Sequence, residues 1–513
     1  MKKNFENIFN YVKKFFVGDS AIWFVFFAIC IFSIIEYYSA SSQHVFNPTR
    51  SGLQPITEHI LFLFAGLVIM LVIVRFIPVK LIRILGYLGL IASFGLLIGM
   101  TFFHLGVTAD GATRGIPVFS LFQFQPLELA KLSLVIVAAD MLSMINNPQK
   151  DNTKISQLLR NIAIDDEAKI FWLLMGISII ICGLIFKDGL SSSALLFATV
   201  IILCIIQNIS WKRIGLVLLS IFSVVAIIFL IEWYAPNVLP NALSRASTWV
   251  NRVKGFTDTE GVQGKNIDTK KDYISQNGDT INYTTLYKYY YDVKSKKDSV
   301  IYQIYDGEIR YNINNKYHYK KDENGKKYLL DKNGDKIKER DMRTIRNTQG
   351  MHSKIAIARG AIGTFPGNSI QRDYLPKVES DFIYAIIIEE TGAIGGFFVM
   401  LLYFILLYYA GMIARSSSDV FPAMLAFGAS LIIVIQALVH MFVVVDVGFV
   451  TGQPLPLFSQ GGTSIIITST FFGILLRVTL EIKEERLKNN IAAQTIDDDD
   501  YADNDDNEIE IIG

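Results

Sequence analysis

A carboxylate at the point where a charged loop turns into a long apolar run is the first place where this sequence could do chemistry. In Tyr374-Leu-Pro-Lys-Val-Glu-Ser-Asp381-Phe-Ile-Tyr, Asp381 falls at the N-terminal end of the helix that the apolar run predicts. Unpaired NH groups and the dipole of a helix N-terminus favour an ionised carboxylate facing water, which can either cap the helix or accept a proton. In Gln125-Pro-Leu-Glu-Leu-Ala-Lys131, Pro126 suits a first helical turn, and Glu128 and Lys131 share one face and can pair. Such a pair serves chemistry or simply anchors a bundle. The run Gly452-Gln-Pro-Leu-Pro-Leu-Phe-Ser-Gln-Gly-Gly-Thr-Ser464 is turn-rich and enters a helix. Its Gly461 and Gly462 backbone, with Ser464 behind it, can cradle an anion such as pyrophosphate, or form a tight re-entrant turn with no ligand. Arg114, in Gly111-Ala-Thr-Arg114, offers a guanidinium to a phosphate or a carboxylate, or is a solvated loop residue. Glu389 and Glu390 are candidates for internal pairing, and His440, alone on an apolar helix, reads as a core histidine.

These residues need a scaffold that the composition identifies. Of 513 residues 51% are hydrophobic and 19% charged, with a mean hydropathy of +0.37, too apolar for one soluble domain. The expected fold is an all-α polytopic membrane protein. Apolar runs of spanning length lie at about 21–37, 57–77, 81–103, 126–145, 169–187, 190–207, 214–234, 382–412, 421–446 and 461–480, which makes ten helices. The first is too long, and lacks the Ala-x-Ala pattern, for a cleaved signal peptide. Lys80, Arg83, Arg160, Lys212, Arg213, Arg415 and Arg477 fall on the side of the basic N-terminus, so both ends are expected in the cytoplasm of a bacterial inner membrane.

The chain then divides into a cytoplasmic N-terminus (1–20), seven helices with the start of a large outer loop (21–254), a Tyr- and Lys-rich insertion (255–346), the rest of that loop with three helices (347–481), and an acidic cytoplasmic tail (482–513). Asn-Gly pairs at Asn277, Asn324 and Asn333 predict β-hairpins, hence a small β-rich module in the insertion. Nine carboxylates in the last seventeen residues predict a disordered tail. Neither charge cluster suits nucleic acid. Cys30, Cys182 and Cys204 lie inside apolar runs, where packing explains them.

With these motifs in order, the chain resembles the SEDS family, whose members include FtsW and RodA. The resemblance rests on Gly18-Asp-Ser-Ala-Ile-Trp23, Tyr38-Ser-Ala-Ser41, Gly111 to Arg114, Gln125 to Lys131, Ser353-Lys-Ile-Ala-Ile-Ala358, Pro366-Gly-Asn-Ser369, Leu375-Pro, Ser380-Asp-Phe-Ile383, Glu389-Glu-Thr-Gly392, Pro454-Leu-Pro and Gly461 to Ser464. The first two motifs resemble a Bacteroidetes-type FtsW more than RodA. The family implies a peptidoglycan glycosyltransferase that polymerises lipid II at the outer face of the cytoplasmic membrane, with a class B penicillin-binding protein and other divisome membrane proteins as partners. It implies that Asp381 is the essential aspartate, that Glu128 and Lys131 are the charged pair of the fourth helix, and that Arg114 is the arginine of Gly-Ala-x-Arg. Departures touch the substrate contacts: Gly115 replaces a Trp, Leu127 a Ser, His352 a Gln, and His440 and Phe449 an Asn and a Pro. The insertion exceeds what the family leads one to expect.

For that reaction a sugar hydroxyl needs a base, for which Asp381 is the candidate. The departing pyrophosphate needs positive charge rather than a proton. Lys131 oriented by Glu128, Arg114, the Gly461 and Gly462 backbone, and a divalent cation (Mg or Mn) are the candidates; no organic cofactor is expected. Two other classes remain open: a carrier that flips lipid II, and a non-catalytic scaffold for division proteins. A RodA-type role in elongation is the alternative within the family.

Overall fold

The computed structural model describes residues 16–41, 54–103, 105–109, 112–119, 122–146, 167–186, 189–234, 348–373, 375, 378–445, 447 and 452–509, together with short strands between 273 and 329. One compact unit comprises residues 1–231, 239–245 and 353–513; a second comprises 232–238 and 246–352.

In the first unit, helices occupy all ten predicted runs: α1 Ser20–Ala40, α2 Gln54–Phe76, α3 Val79–Phe103, α4 Pro126–Asn146, α5 Glu167–Phe186, α6 Leu190–Ile206, α7 Trp211–Tyr234, then, after shorter helices described below, Ile383–Ser416, Val420–Val444 and Gly462–Ile509. Eight are long and apolar enough to cross a membrane. Of the other two, α6 has 17 residues, and α4 carries Glu128, Lys131 and Asp140 among its 21. Those charges are tolerable because each is paired inside the bundle: Lys131 with Glu128 at 2.7 Å, and Asp140 with Arg83 of α3 at 2.9 Å. The chain is a multi-pass membrane protein. Large side chains such as Phe64, Ile91, Leu219 and Phe222 face outward, which suits hydrocarbon rather than water, while small residues mediate close helix approach. A methyl group on Gly66 would strike the Ser469 side chain, and one on Gly86 would strike Ile136.

Several sequence expectations change in detail. Arg83, read as a loop cation, is buried: its partner Asp140 also accepts from Tyr87 Oη at 2.8 Å, and its guanidinium lies 4.2 Å from the centre of the Phe421 ring. Between α3 and α4 the chain forms an unanticipated three-stranded antiparallel sheet of β1 Val107–Ala109, β2 Ala112–Phe119 and β3 Phe122–Phe124. Its register shifts between Pro117 and Phe119, where proline cannot donate to the ladder. The last helix runs on to Ile509, so the acidic stretch expected to be disordered is helical; extending an existing helix avoids the cost of nucleation. Cys30, Cys182 and Cys204 are free and buried.

The strands described in the second unit are three antiparallel hairpins: β4 Tyr273–Ile274 with β5 Thr280–Ile281, β6 Val300–Tyr305 with β7 Glu308–Ile313, and β8 Tyr319–Lys321 with β9 Lys327–Leu329. In the first and third, the sequence between the two strands contains Asn277-Gly278 and Asn324-Gly325. The longest is joined by Asp306-Gly307, another pair that favours tight turns, and Asn333 lies outside the described residues, as does most of the stretch 255–346.

The shorter helices lead into the site. Helix α8, Thr348–Arg359, is tied down by Ser353 Oγ, which donates to Val444 O at 2.7 Å. One turn, α9 Val378–Asp381, precedes α10 Ile383–Ser416. The sequence suggests one span over 382–412, but α10 is broken at Gly392, whose φ of 80° and ψ of 176° no helix accommodates. Residues 393–416 alone rise about 36 Å, enough to cross about 30 Å of hydrocarbon. The stretch 383–391 is therefore a separate helix, and residues 383–390 are buried. Helices α11, Val420–Val444, and α12, Gly462–Ile509, complete the bundle.

Candidate functional site

The loop 452–461 contains two prolines and no regular structure, so its carbonyls need partners from elsewhere. Four side chains from three helices supply them. His440 Nδ1 meets Gln453 O at 2.6 Å, Gln436 Nε2 donates to Pro454 O at 2.9 Å, Tyr403 Oη to Pro456 O at 2.6 Å, and Ser33 Oγ to Leu457 O at 2.7 Å. Because the Ser33 hydroxyl proton is committed to Leu457, the 2.8 Å bond between Ser33 and His59 places the proton on His59 Nε2. His59 is stacked flat on Tyr37, with ring centres 4.1 Å apart.

This anchored loop carries the turn that bears Asp381. Gln460 N donates to Glu379 O at 2.8 Å, and Ser459 Oγ donates to Ser380 O at 2.6 Å while accepting from Leu455 N at 2.8 Å. The Asp381 carboxylate is half-buried, accepts from Ser380 Oγ at 3.2 Å and faces Gly452. A Cβ on Gly452 would lie 3.4 Å from Asp381 Oδ2, and the φ of +63° at that residue favours glycine. Phe382, not Asp381, takes the N-cap position of α10 and makes no side-chain cap bond. Asp381 thus sits one residue before the N-cap of the buried helix 383–391.

The break that ends this short helix is closed by the loop 360–371. Thr364 N bonds the carbonyls of Glu389 and Glu390, each at 3.0 Å, and Phe365 N bonds Glu390 O at 2.8 Å. The two carboxylates hold the same loop. Glu389 accepts from Ile370 N, Gln371 N and Ser369 Oγ and pairs with Arg359 at 3.3 Å; Glu390 accepts from Gly367 N at 3.0 Å, Ser369 N at 3.1 Å and Ser39 Oγ. Ser39 also accepts from Arg372. The internal pairing expected of these glutamates is present, with backbone NH groups as most of the partners.

Glu128 and Lys131 form the pair that their spacing suggests. Their side chains are only 6% and 2% exposed, and Lys131 Nζ also donates to Gln436 Oε1 at 3.1 Å. The ammonium thus lies beside a small cavity, lined also by Ile432, Pro456 and Phe471, that has room for about one water. It is connected to the loop 452–461 through Gln436 and has almost no face open to a ligand.

Gly461 and Gly462 begin α12, and Gly461 O accepts the helical bond from Ile465 N at 2.9 Å. Gly462 has a packing reason to be glycine, since a Cβ there would lie 2.6 Å from the Phe62 ring. Ser464 is buried. Thr463 Oγ1 donates to Gln123 O at 2.9 Å and accepts from Gln125 N at 3.3 Å, joining the start of α12 to the start of α4. The backbone of Arg114 belongs to β2, and its side chain lies outside the described residues. Asp381 and the glycine loop thus come together, Lys131 reaches them through Gln436, and Ser464 stands behind. The anchors Ser33, Tyr403, Gln436 and Ser459 went unnoticed in the sequence. One signal was available: Gln436 and His440, four apart on an apolar helix, share a face.

Known proteins can be set beside this geometry. A probable peptidoglycan glycosyltransferase FtsW of Halomonas elongata is 38% identical over 144 residues, 27% of this chain and 36% of that protein. The peptidoglycan glycosyltransferase MrdB of Escherichia coli K12 is 34% identical over 131 residues, 25% of this chain and 35% of that protein. The chain thus spans about a third of the length of the curated relatives it matches. Among solved structures, a chain described under structural coordination of polymerization and crosslinking by a peptidoglycan synthase complex superposes with a TM-score of 0.56 at 18% identity, covering 91% of this chain and 98% of that one. A mutant of the rod shape determining protein RodA of Thermus thermophilus gives 0.50 at 16% identity, covering 90% and 97%. At these identities the likeness is one of fold. The cell cycle protein family model FTSW_RODA_SPOVE matches residues 19–263 and 344–484, well over half of the sequence, and the chain belongs to this family.

Proposed function

We propose that this chain is a peptidoglycan glycosyltransferase that polymerises lipid II, with Asp381 as its base. One observation carries the reading: a half-buried carboxylate is held one residue before the N-cap of a buried helix and against the glycine of an anchored loop. The acceptor sugar's 4-hydroxyl attacks the anomeric carbon of the donor as its proton passes to Asp381. The glycosidic bond forms while the bond to the lipid diphosphate breaks, and the electron pair leaves with the diphosphate. That leaving group is a stabilised anion and needs positive charge rather than a second carboxylic acid. Arg114 and the NH groups at the start of α12 are the groups of this chain suited to it, with Lys131 acting from behind through Gln436. The names of the FtsW and MrdB relatives support the chemistry.

Among the described residues no group of three or more His, Cys, Asp or Glu could hold a metal ion. A lone Asp381 fits Mg or Mn only as such ions often bind, by one carboxylate with waters and substrate phosphates, where the ion would supply charge to the diphosphate. We place both termini in the cytoplasm and Asp381 at the outer face of the cytoplasmic membrane, because basic residues cluster on one side of the predicted spans. We assign the chain to septal synthesis beside a class B penicillin-binding protein and other divisome proteins, on its FtsW-like N-terminal motifs; a tagged copy should gather at midcell, and sidewall labelling would point to elongation instead.

Purified protein with its penicillin-binding partner and labelled lipid II tests the central claim. Asp381→Asn should lower the polymerisation rate by about 100-fold or more. Undiminished glycan from that variant removes Asp381 as the base. The broken helix at Gly392 and the re-entrant loop would also suit a lipid II carrier. Transfer across liposomes with no glycan product would favour that reading.

A further inference from the structure

We propose that His440 is a positioning residue for the reaction, its ring fixing Gly452 against the Asp381 carboxylate; this rests on the assignment of Asp381 made above. Gln436 and His440 stand one helical turn apart on α11 and meet successive carbonyls of the loop, Pro454 O and Gln453 O. A carbonyl can only accept, so the 2.6 Å contact requires the proton on Nδ1. The other ring nitrogen, Nε2, is buried and has no partner among the described residues, and the residue is 1% exposed. A histidine with one nitrogen unsatisfied is a poor way to fill an apolar bundle, because a leucine would pack there without that loss. What the ring supplies is the Nδ1–H bond.

That bond acts on a residue already held from its other end. The Gln453 side chain donates to Ser192 Oγ at 2.6 Å and Ser191 Oγ at 3.3 Å, so its backbone and side chain are pinned to α11 and α6 respectively. Gly452 comes immediately before it, in the left-handed region at φ +63°, and its Cα presents the face against which Asp381 lies. Releasing Gln453 O lets the Gln453–Pro454 peptide rotate, and the backbone of Gly452, one residue earlier, shifts beside the carboxylate. His440 does not itself touch Asp381. Its effect should fall on the geometry of the reacting carboxylate more than on the capture of substrate.

The test compares wild type, His440→Leu, His440→Asn and His440→Gln in the full chain with its partner. Asparagine carries its amide nitrogen the same number of bonds from Cβ as Nδ1, whereas glutamine carries it one bond further. We expect His440→Leu to lower kcat for lipid II polymerisation by about 10- to 100-fold with KM within about twofold and a modestly lowered melting temperature, because Gln453 O loses its partner. His440→Asn should recover most of the rate and His440→Gln should not. A leucine variant with wild-type kcat, an asparagine variant as slow as leucine, or a rate loss that disappears when the assay is run well below the melting temperatures of both proteins overturns the proposal. If leucine prevents folding, the contrast between asparagine and glutamine decides alone. Amide hydrogen exchange over residues 452–460 is read in parallel and does not depend on the reaction. Faster exchange in the leucine variant and wild-type exchange in the asparagine variant support the clamp even if wild type makes no glycan, an outcome that would sink the glycosyltransferase reading instead. Unchanged exchange in the leucine variant overturns the clamp itself.

Discussion

Replacing Lys131 by Met should destabilise the protein strongly, and replacing Glu128 by Gln in the same chain should restore much of what is lost. The two side chains are 2% and 6% exposed with nitrogen and oxygen 2.7 Å apart, so neither charge can turn to water when its partner disappears. Removing one member of a buried pair costs about 3–5 kcal/mol, mostly because the other charge is left stranded. The bond from Lys131 to Gln436 adds about 1 kcal/mol more. In the double variant no charge is stranded, and we expect a recovery of about 2–3 kcal/mol relative to Lys131→Met. Denaturant-driven unfolding in detergent, followed by helical ellipticity, measures both steps. The rate should not recover with the stability, since Gln436 loses its ammonium partner in both variants and with it part of its hold on Pro454. A Lys131→Met protein within about 1 kcal/mol of wild type, or a double variant no more stable than the single one, would contradict the buried pair and the anchoring role built on it.

Gly392→Ala should cost about 1–3 kcal/mol, because φ is 80° there and the added methyl would lie 3.0 Å from Ile362 O. Gly411→Ala, in the same helix with nothing within 4 Å, should instead be neutral or slightly stabilising, and melting curves of the pair separate backbone strain from helix propensity. Glu36 is fully buried on α1, and neither carboxyl oxygen has a hydrogen-bond partner among the described residues. Glu36→Met should therefore stabilise the protein by about 1–3 kcal/mol, and a lower melting temperature in that variant would reveal an ion or proton partner for the carboxyl.

The ten helices were legible because hydrocarbon imposes one rule along the whole chain: about 20 apolar residues per span. The Glu128 and Lys131 pair was legible for a similar reason, since a spacing of three on one helix is local geometry. What local pattern could not show was where the helix bearing Asp381 breaks. Gly392 follows Glu389-Glu390-Thr391, a polar step that by itself does not tell a break from a buried pair, and its break exists because Gly363 and Ile362 arrive from about thirty residues earlier to meet it. Nor does the sequence around Gly452 say that Ser33, more than four hundred residues away, holds Leu457. The buried Arg83 misleads because it reads as a membrane-edge cation until Asp140, which also accepts from Tyr87, is brought to it from α4.

The two irregular segments stand in different settings: loop 452–461 is mostly buried, whereas residues 361, 362 and 365–368 of loop 360–371 are exposed. Backbone without helix or sheet cannot face lipid, because every unpaired NH and carbonyl would be stranded there, so it must be enclosed by protein that pairs it. Around loop 452–461 the partners are Ser33, Tyr403, Gln436 and His440; around loop 360–371 they are the carbonyls and carboxylates of Glu389 and Glu390. Asp381 is docked on the first through Ser380 and Glu379, and stands just before the short helix whose far end the second one caps. A carboxylate on a turn docked to an anchored loop loses little freedom when a sugar hydroxyl is placed beside it, and that preorganisation is what a single base needs in order to act on a weak nucleophile. Ser33, Tyr403, Gln436 and His440 are then intelligible together, as side chains that pair the carbonyls which loop 452–461 carries into the interior.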